Sequence, residues 1–216
     1  MGKKLKSIFR NKEGSIGIGA MIIFIAMVLV AGIAASVLIQ TSTKLEMQAL
    51  KTGTETIAEV ATGVLVTGIE GHNTSGLIDR MAIEIVPRAG SFDIDLSQLV
   101  VELSNSSAKV VLRYSYNLLN VTEVEGDLFA DAGYAGATVT KFDIIVLQDG
   151  DGSCTEQNPV INFGDHVVLA IDITDVFGGL LPRVDVFGQV IPEEGAQGII
   201  GFKTPSSYTT AVMELQ

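Results

Sequence analysis

The amino-acid sequence predicts an α+β protein, in which a long hydrophobic N-terminal α-helix is followed by an immunoglobulin-like β-sandwich. Two observations support this prediction. The first is a stretch from residue 14 to residue 43 without any charged side chain, whose apolar part runs from Ile16 to Ile39. The second is the remainder of the chain, where short segments of alternating apolar and polar residues are separated by turns, a pattern typical of β-sandwiches.

The apolar run is long enough to cross the hydrocarbon core of a bilayer, which takes about 20 helical residues. It has no polar stripe, and a helix that is apolar on all faces is buried either in lipid or in protein. Beyond Ile39, apolar residues recur among polar ones at helical spacing, so the helix is predicted to continue from Ser15 to about Leu65. Gly68 and Gly71 are the expected stop signals.

A basic segment precedes the apolar run. Residues 1–14 carry five Lys or Arg side chains and one Glu, so this end is expected to face the cytoplasm and residues 44–216 the outside. Three interpretations are open: a secretory signal peptide, a membrane anchor, and a leader that is removed ahead of the helix. The run exceeds the roughly 7–15 residues of a signal peptide's hydrophobic region. Gly14, at the junction, favours the third, because cutting there leaves the helix free to pack against copies of itself.

The remaining chain is predicted to consist of strands from about residue 80 onward. Residues 92–96 alternate strictly between apolar and polar, and residues 167–174 do so in part, as expected for strands with one buried face. Further predicted strands cover residues 81–86, 99–103, 109–114, 138–147, 184–191, 198–203 and 208–215. The predicted organisation is a leader over residues 1–14, a polymerisation helix over 15–66 and a β-sandwich outer domain over 67–216.

Charge and motifs exclude several functions. Residues 15–216 hold 9 basic and 24 acidic side chains, a net charge of −15, and such a body repels nucleic acid. The sequence has two histidines and no motif of the common hydrolases, zinc proteases or P-loop proteins, so no enzymatic activity is predicted. The single cysteine, Cys154, cannot form a disulfide within the chain and is interpreted as a structural thiol.

Three Asn-x-Ser/Thr sequences begin at Asn73, Asn105 and Asn120. Because the outer domain is predicted to face outside the cell, these asparagines are candidate acceptors for N-linked glycans. Chance alone produces about one or two such triplets in a chain of this size.

The segment from Asp149 to Ser153 resembles the start of a calcium-binding loop. It departs from the EF-hand pattern, because Cys154 and Val160 stand where that loop requires Gly and a bidentate Glu. One interpretation is an acidic turn at a loop tip. The other is a divalent-cation site for Ca²⁺ or Mg²⁺ that uses Asp149 and Asp151, which would screen the negative charge of packed subunits. No other cofactor is predicted.

The N-terminus resembles that of archaeal flagellins (archaellins). The resemblance lies in Lys12-Glu13-Gly14-Ser15-Ile16-Gly17-Ile18-Gly19 and the apolar run after it, with further similarity at residues 94–99, 163–169 and 190–208. In that family a membrane prepilin peptidase cuts after the Gly, here between Gly14 and Ser15. Bacterial type IV pilins usually carry Glu at the fifth mature position, which is Gly19 here, and this difference favours an archaellin.

The resemblance implies a structural subunit that polymerises through its N-terminal helix into the archaeal flagellum (archaellum), the filament used for swimming. It also implies a precursor inserted transiently in the cytoplasmic membrane, a mature extracellular surface filament, common N-glycosylation, and other archaellin paralogues as further partners. Two alternatives remain: an adhesive archaeal type IV-like pilus subunit, and a membrane-anchored extracellular β-sandwich binding module.

Overall fold

The computed structural model describes the backbone of residues 2–216 and the side chains of residues 14–216. The chain divides after Thr54 into two compact units. A single helix, α1, spans Gly2–Ala61; it makes up the first unit and its last turns belong to the second. The long N-terminal helix is therefore confirmed. The basic side chains of the predicted leader lie outside the described residues.

The helix ends four residues earlier than predicted because its C-terminus packs against a turn near residue 195. The N–H of buried Thr62 still donates to the Ala58 carbonyl (2.8 Å), while its own carbonyl accepts from the Ala196 N–H (2.9 Å). A Cβ at Gly63 would lie 2.7 Å from the Ala196 carbonyl oxygen, so only glycine fits this approach. The predicted stop signals Gly68 and Gly71 lie within a strand, so that prediction was wrong.

The described residues contain eleven strands and a second, short helix. The strands are β1 (Val64–Thr74), β2 (Leu77–Pro87), β3 (Ile94–Asp95), β4 (Val100–Ser104), β5 (Lys109–Asn120), β6 (Lys141–Gln148), β7 (Val160–Ile161), β8 (His166–Asp172), β9 (Asp185–Ile191), β10 (Gly198–Lys203) and β11 (Val212–Glu214). Helix α2 (Ile173–Phe177) follows β8, and a 3-10 turn (Asp131–Tyr134) lies between β5 and β6. Nine strands form one sheet in the order β10-β9-β4-β5-β6-β8-β2-β1-β11, and β3 pairs with β7.

Strand β1 is the longest element that the sequence did not predict, and the predicted domain boundary at residues 66 and 67 falls inside it. The short strand β7 and helix α2 were not predicted either. β1 and β2 pair along their whole length, from Val64 opposite Pro87 to Thr74 opposite Leu77. The connecting residues Ser75 and Gly76 have φ values of 57° and 85°, the left-handed conformation of a tight hairpin turn. Pairing with β2 and β11 thus overrides the helical spacing of apolar residues that continues past residue 60.

The nine-stranded sheet curls around the main hydrophobic core. Side chains from one face of nearly every strand meet in that core. The two edges of the sheet come together at the C-terminus, where the Leu215 N–H donates to the Ile69 carbonyl (2.7 Å) and the Gln216 side-chain oxygen accepts from the Gly201 N–H (2.7 Å). The predicted α+β class is confirmed, and the two layers of the β-domain are halves of one curled sheet.

A smaller second core covers part of the sheet's outer face. Ala82, Ile145, Val168 and Ala170 project from β2, β6 and β8, and residues 121–140 pack over them through Val124, Phe129 and Tyr134. This segment connects β5 to the parallel strand β6, and a parallel connection must cross over the sheet. The crossover therefore buries this half of the outer face.

Candidate assembly helix and surface sites

The largest candidate functional surface is the apolar part of α1. Within Gly14–Ala61, the most apolar window of 18 residues has a mean hydropathy of 3.0, and none of it is buried in the chain's own fold. Leu38 is 72 % exposed and Phe24 68 % exposed. The helix is long and apolar enough to cross a membrane. An apolar surface of this extent must be covered by lipid or by other protein.

Small residues form a groove on this helix. It has a volume of about 440 Å³ and is lined by Ile23, Ala26, Met27, Val30, Ala31 and Ala34. Three of these are alanines spaced so that they lie on neighbouring turns, and small side chains allow the backbones of two helices to approach closely. Another helix can therefore approach α1 closely along this shallow groove.

The polar residues that follow the apolar run satisfy their own hydrogen bonds. The Thr41 hydroxyl donates to the Val37 carbonyl (2.6 Å), and the Thr43 hydroxyl donates to the Ile39 carbonyl (3.0 Å). Such bonds to the preceding turn allow a hydroxyl to enter an apolar environment without an unpaired donor. The buriable surface of α1 thus extends past the last apolar residue of the run.

The predicted cleavage residues Gly14 and Ser15 are both exposed and helical. No other described side chain lies within 4 Å of a Cβ placed on Gly14. The peptide bond between them is therefore unobstructed by the described part of the chain.

The three candidate glycan acceptors lie in different surroundings. Asn120, at the end of β5, is exposed. Asn105 begins the turn between β4 and β5, where its side-chain oxygen accepts from the Ala108 N–H (3.0 Å). The Asn73 amide group donates to the Thr210 carbonyl (3.3 Å), so the nitrogen that would carry a glycan is engaged. Accessibility therefore favours Asn120 and Asn105 over Asn73.

The predicted acidic pair lies beside a third carboxylate that the sequence analysis did not include. Oxygen atoms of Asp149, Asp151 and Asp165 lie within 4.8 Å of one another. Asp165, which is buried, precedes β8, and the pairing of β6 with β8 places it next to the loop that follows β6. Three carboxylates at this spacing are ligands that Ca²⁺ or Mg²⁺ accepts. No local signal links Asp165 to the other two, since the connection is tertiary.

These carboxylates also organise the loop through hydrogen bonds. Asp149 accepts from the N–H groups of Gly152 (2.7 Å) and Cys154 (3.1 Å), and Asp165 accepts from that of Gly150 (3.2 Å). Hydrogen bonds from the side chains of Asn162 and Ser153 hold the pKa of Asp151 below its ordinary value. Burial raises the pKa of the neighbouring Cys154 thiol to about 12, so the thiol stays neutral and is not a reactive nucleophile.

The sequence analysis also missed a fully buried carboxylate, that of Asp143 on β6. It accepts from the Asn117 amide (2.8 Å), the Gly136 N–H (2.7 Å) and the Ser115 hydroxyl. Ser115 and Asn117 lie within the register shift between β5 and β6, which falls between Tyr114 and Leu118, and Gly136 lies in the crossover segment. One buried side chain therefore joins the irregular part of β5 to the crossover. Its only sequence signal was a polar residue at the start of an apolar strand.

Comparisons with known proteins place the chain in a family. The family model for archaeal-type flagellin matches residues 14–202. The chain belongs to the archaeal-type flagellin family. Flagellin B3 of Methanocaldococcus jannaschii is 43 % identical over 98 % of this chain and 100 % of its own length. Flagellin B1 of Methanococcus voltae is 42 % identical over 98 % of this chain and 99 % of its own.

Solved structures agree with this family assignment. The crystal structure of archaeal flagellin FlaB1 from M. jannaschii is similar with a TM-score of 0.66 and 37 % identity, over 72 % of this chain and 98 % of that one. A subunit of the archaeal flagellum of Methanospirillum hungatei strain JF1 is similar with a TM-score of 0.61 and 15 % identity, over 91 % of this chain and 98 % of that one. The similarity to the M. hungatei subunit covers most of this archaeal-type flagellin and supports its fold. The resemblance stated from the N-terminal residues is thereby confirmed.

The buried carboxylate of this flagellin generates a stability prediction. Replacement Asp143→Ala removes a fully buried acceptor and leaves three partly buried donors unpaired. Since an unpaired buried donor costs about 1–3 kcal/mol, we expect a loss of about 3 kcal/mol in the free energy of unfolding. The matched control is Asp185→Ala, which removes an exposed ion pair with Lys203 and should cost less than about 1 kcal/mol. Urea unfolding followed by tyrosine fluorescence measures both. Equal small losses would contradict a structural role for Asp143.

Proposed function

We propose that this archaeal-type flagellin is built into its filament by removal of residues 1–14 and burial of the helix from Ser15 onward among the helices of neighbouring subunits. Family membership makes the chain a structural subunit of the archaeal flagellum, on the cell surface. The proposal concerns the steps by which the subunit reaches the filament. The observation that carries it is the apolar part of α1, which is fully exposed in the isolated chain and has grooves suited to other helices.

The membrane comes first in this proposal and the filament second. While the basic residues 1–14 are present, they hold the N-terminus at the cytoplasmic face and the apolar helix crosses the bilayer. A prepilin peptidase then cuts between Gly14 and Ser15. The family match, which begins at Gly14, supports this position. Without the leader, the helix leaves the bilayer for a bundle of identical helices, where burial of its apolar surface drives polymerisation.

The proposed role is mechanical rather than chemical, and the filament serves swimming. The β-domain offers no constellation of nucleophile and base among its described residues, and the family is a family of filament subunits. Other flagellin paralogues are further candidate partners in the same filament. Each subunit carries a net charge of −15 over residues 15–216, and the repulsion between such charges keeps separate filaments apart.

Removal of the leader is tested by the mass of the mature subunit. We expect filaments from the native source to contain chains that begin at Ser15, because the cut lies at the boundary between basic leader and apolar helix. Intact-protein mass spectrometry with N-terminal peptide mapping measures this. A chain beginning at Met1 or Gly2 would instead indicate a permanent membrane anchor, and one beginning near Ser36 ordinary secretion. Either result would refute the proposal.

We further propose that the β-domain carries N-linked glycan on at least one of the three acceptors. The exposed position of Asn120 supports this site first, because its side chain is accessible in the folded domain. Glycopeptide mass spectrometry of native filaments should show a mass increment on the peptide that contains Asn120, and Asn120→Gln should remove that increment. Three unmodified asparagines would contradict the proposal.

A divalent cation, Ca²⁺ or Mg²⁺, is proposed at Asp149, Asp151 and Asp165, because their oxygens converge. Ligand binding to the folded state alone raises its unfolding temperature. We therefore expect calcium to raise the unfolding temperature of isolated filaments relative to filaments in chelator, as measured by calorimetry. Asp151→Ala should abolish the difference, whereas the control Asp93→Ala, also an exposed acid, should retain it. An unfolding temperature of wild-type filaments that neither calcium nor magnesium changes would exclude the site.

A further inference from the structure

Part of the β-domain's outer surface is apolar and bare. The crossover segment covers the outer face of β2, β6 and β8, but within the described β-domain no segment packs over the outer face of β10, β9, β4 and β5. There Ile199 is 70 % exposed, Phe187 61 % and Val111 43 %. The strand register aligns Ile199, Gln189 and Glu102 in one row, with Phe187 in the next. We call this surface the open face.

The open face is also the basic part of an acidic domain. Three basic side chains lie on it, those of Lys109, Arg113 and Lys203, and Lys141 of β6 lies beside Arg113 at its border. Its acidic side chains are Glu102 and Asp185, which pair with Lys109 (2.7 Å) and Lys203 (3.1 Å). With Lys141 at its border included, the face therefore has an excess of two positive charges, although residues 15–216 together carry −15. Such a surface attracts an acidic partner and not a basic one.

A surface with the complementary character lies elsewhere on the same domain. Phe163 stands in the turn before β8 and is 86 % exposed, next to the acidic loop of Asp149 and Asp151. The turn is rigid, because the Asp165 carboxylate accepts from the Asn162 N–H (2.9 Å) and the Gly164 carbonyl accepts from the Gln148 amide (3.0 Å). An aromatic ring held in place before binding loses little entropy when it docks.

We propose that, in the filament, the Phe163 turn of one subunit docks on the open face of a second copy of this chain. The ring would enter a depression of about 310 Å³ beside Phe187, between Ser104 and Gln189. The acidic loop around Phe163 would then lie over the basic side chains of the open face. The inference rests on the proposed filament function.

The geometry of this contact suits a polymer. The two surfaces differ and belong to the same domain, so each subunit offers one to a neighbour and receives the other. Contacts of this head-to-tail kind generate open helical assemblies when their rotation does not close a ring. The contact would supplement the burial of the N-terminal helices and fix the outer domains against one another.

The first experiment compares two exposed phenylalanines. Filaments carrying Phe163→Ser should release about tenfold more free subunit at equilibrium than the wild type, the effect expected for loss of an aromatic anchor. The control Phe92→Ser removes a ring that is 56 % exposed outside both surfaces, and should leave release unchanged. Sedimentation of isolated filaments measures this, and unchanged circular dichroism shows that both variants fold. Equal release from the two variants would overturn the inference.

The second experiment detects the contact directly. Filaments of the double variant Phe163→Cys and Phe187→Cys should give a ladder of covalent oligomers on oxidation, because a disulfide requires Cα atoms about 5.5 Å apart. Each single variant should give none, since Cys154 is buried. A double variant that forms filaments without a ladder would overturn the docking and leave the proposed filament function intact. Wild-type chains that retain residues 1–14 and form no filament would refute both.

Glycan mapping provides an independent check. Asn105 lies in the turn directly after Ser104, at the rim of the depression. An N-linked glycan there would cover the docking surface, so the proposal expects Asn105 to be unmodified in assembled filaments. A glycan found on Asn105 in most subunits would overturn it.

Discussion

The structure of this flagellin depends on one constraint, the exposed apolar surface of the N-terminal helix. A stretch of more than twenty apolar residues without charge has no stable state in water. In the proposed route the chain exchanges one apolar environment for another, lipid before assembly and neighbouring helices after it. Alanines that open a groove and hydroxyls that bond to their own helix suit α1 to both environments.

The second unit is stabilised without disulfides, by a hydrophobic core formed from its own strands. A single sheet curls until its edges meet, so that nearly every strand contributes to one core. The crossover between β5 and β6 then seals one outer face, and buried Asp143 joins that crossover to β5. A rigid, closed domain of this kind can carry surface features, such as the Phe163 turn, at fixed positions.

Charge links the two units to assembly. Polymerisation brings together subunits whose residues 15–216 carry a net charge of −15, and their repulsion opposes the burial of the helices. Three of the seven basic side chains of the β-domain lie on the open face, and Lys141 lies at its border. Converging carboxylates at Asp149, Asp151 and Asp165 offer a second means of offsetting the repulsion. Burial of the helix is thus the proposed driving force for polymerisation, and the distribution of charge determines how strongly neighbouring domains repel one another.

The sequence by itself predicted the existence and approximate length of α1, the β-rich character of the rest and the family, because these depend on local composition and periodicity. It placed β10 correctly and most other strands within a few residues. Strand β1, the end of α1 at Ala61, the partnership of Asp165 with Asp149, and the buried role of Asp143 were decided by the tertiary structure alone. Each depends on contacts between residues distant in the chain, and such contacts override local spacing and propensity.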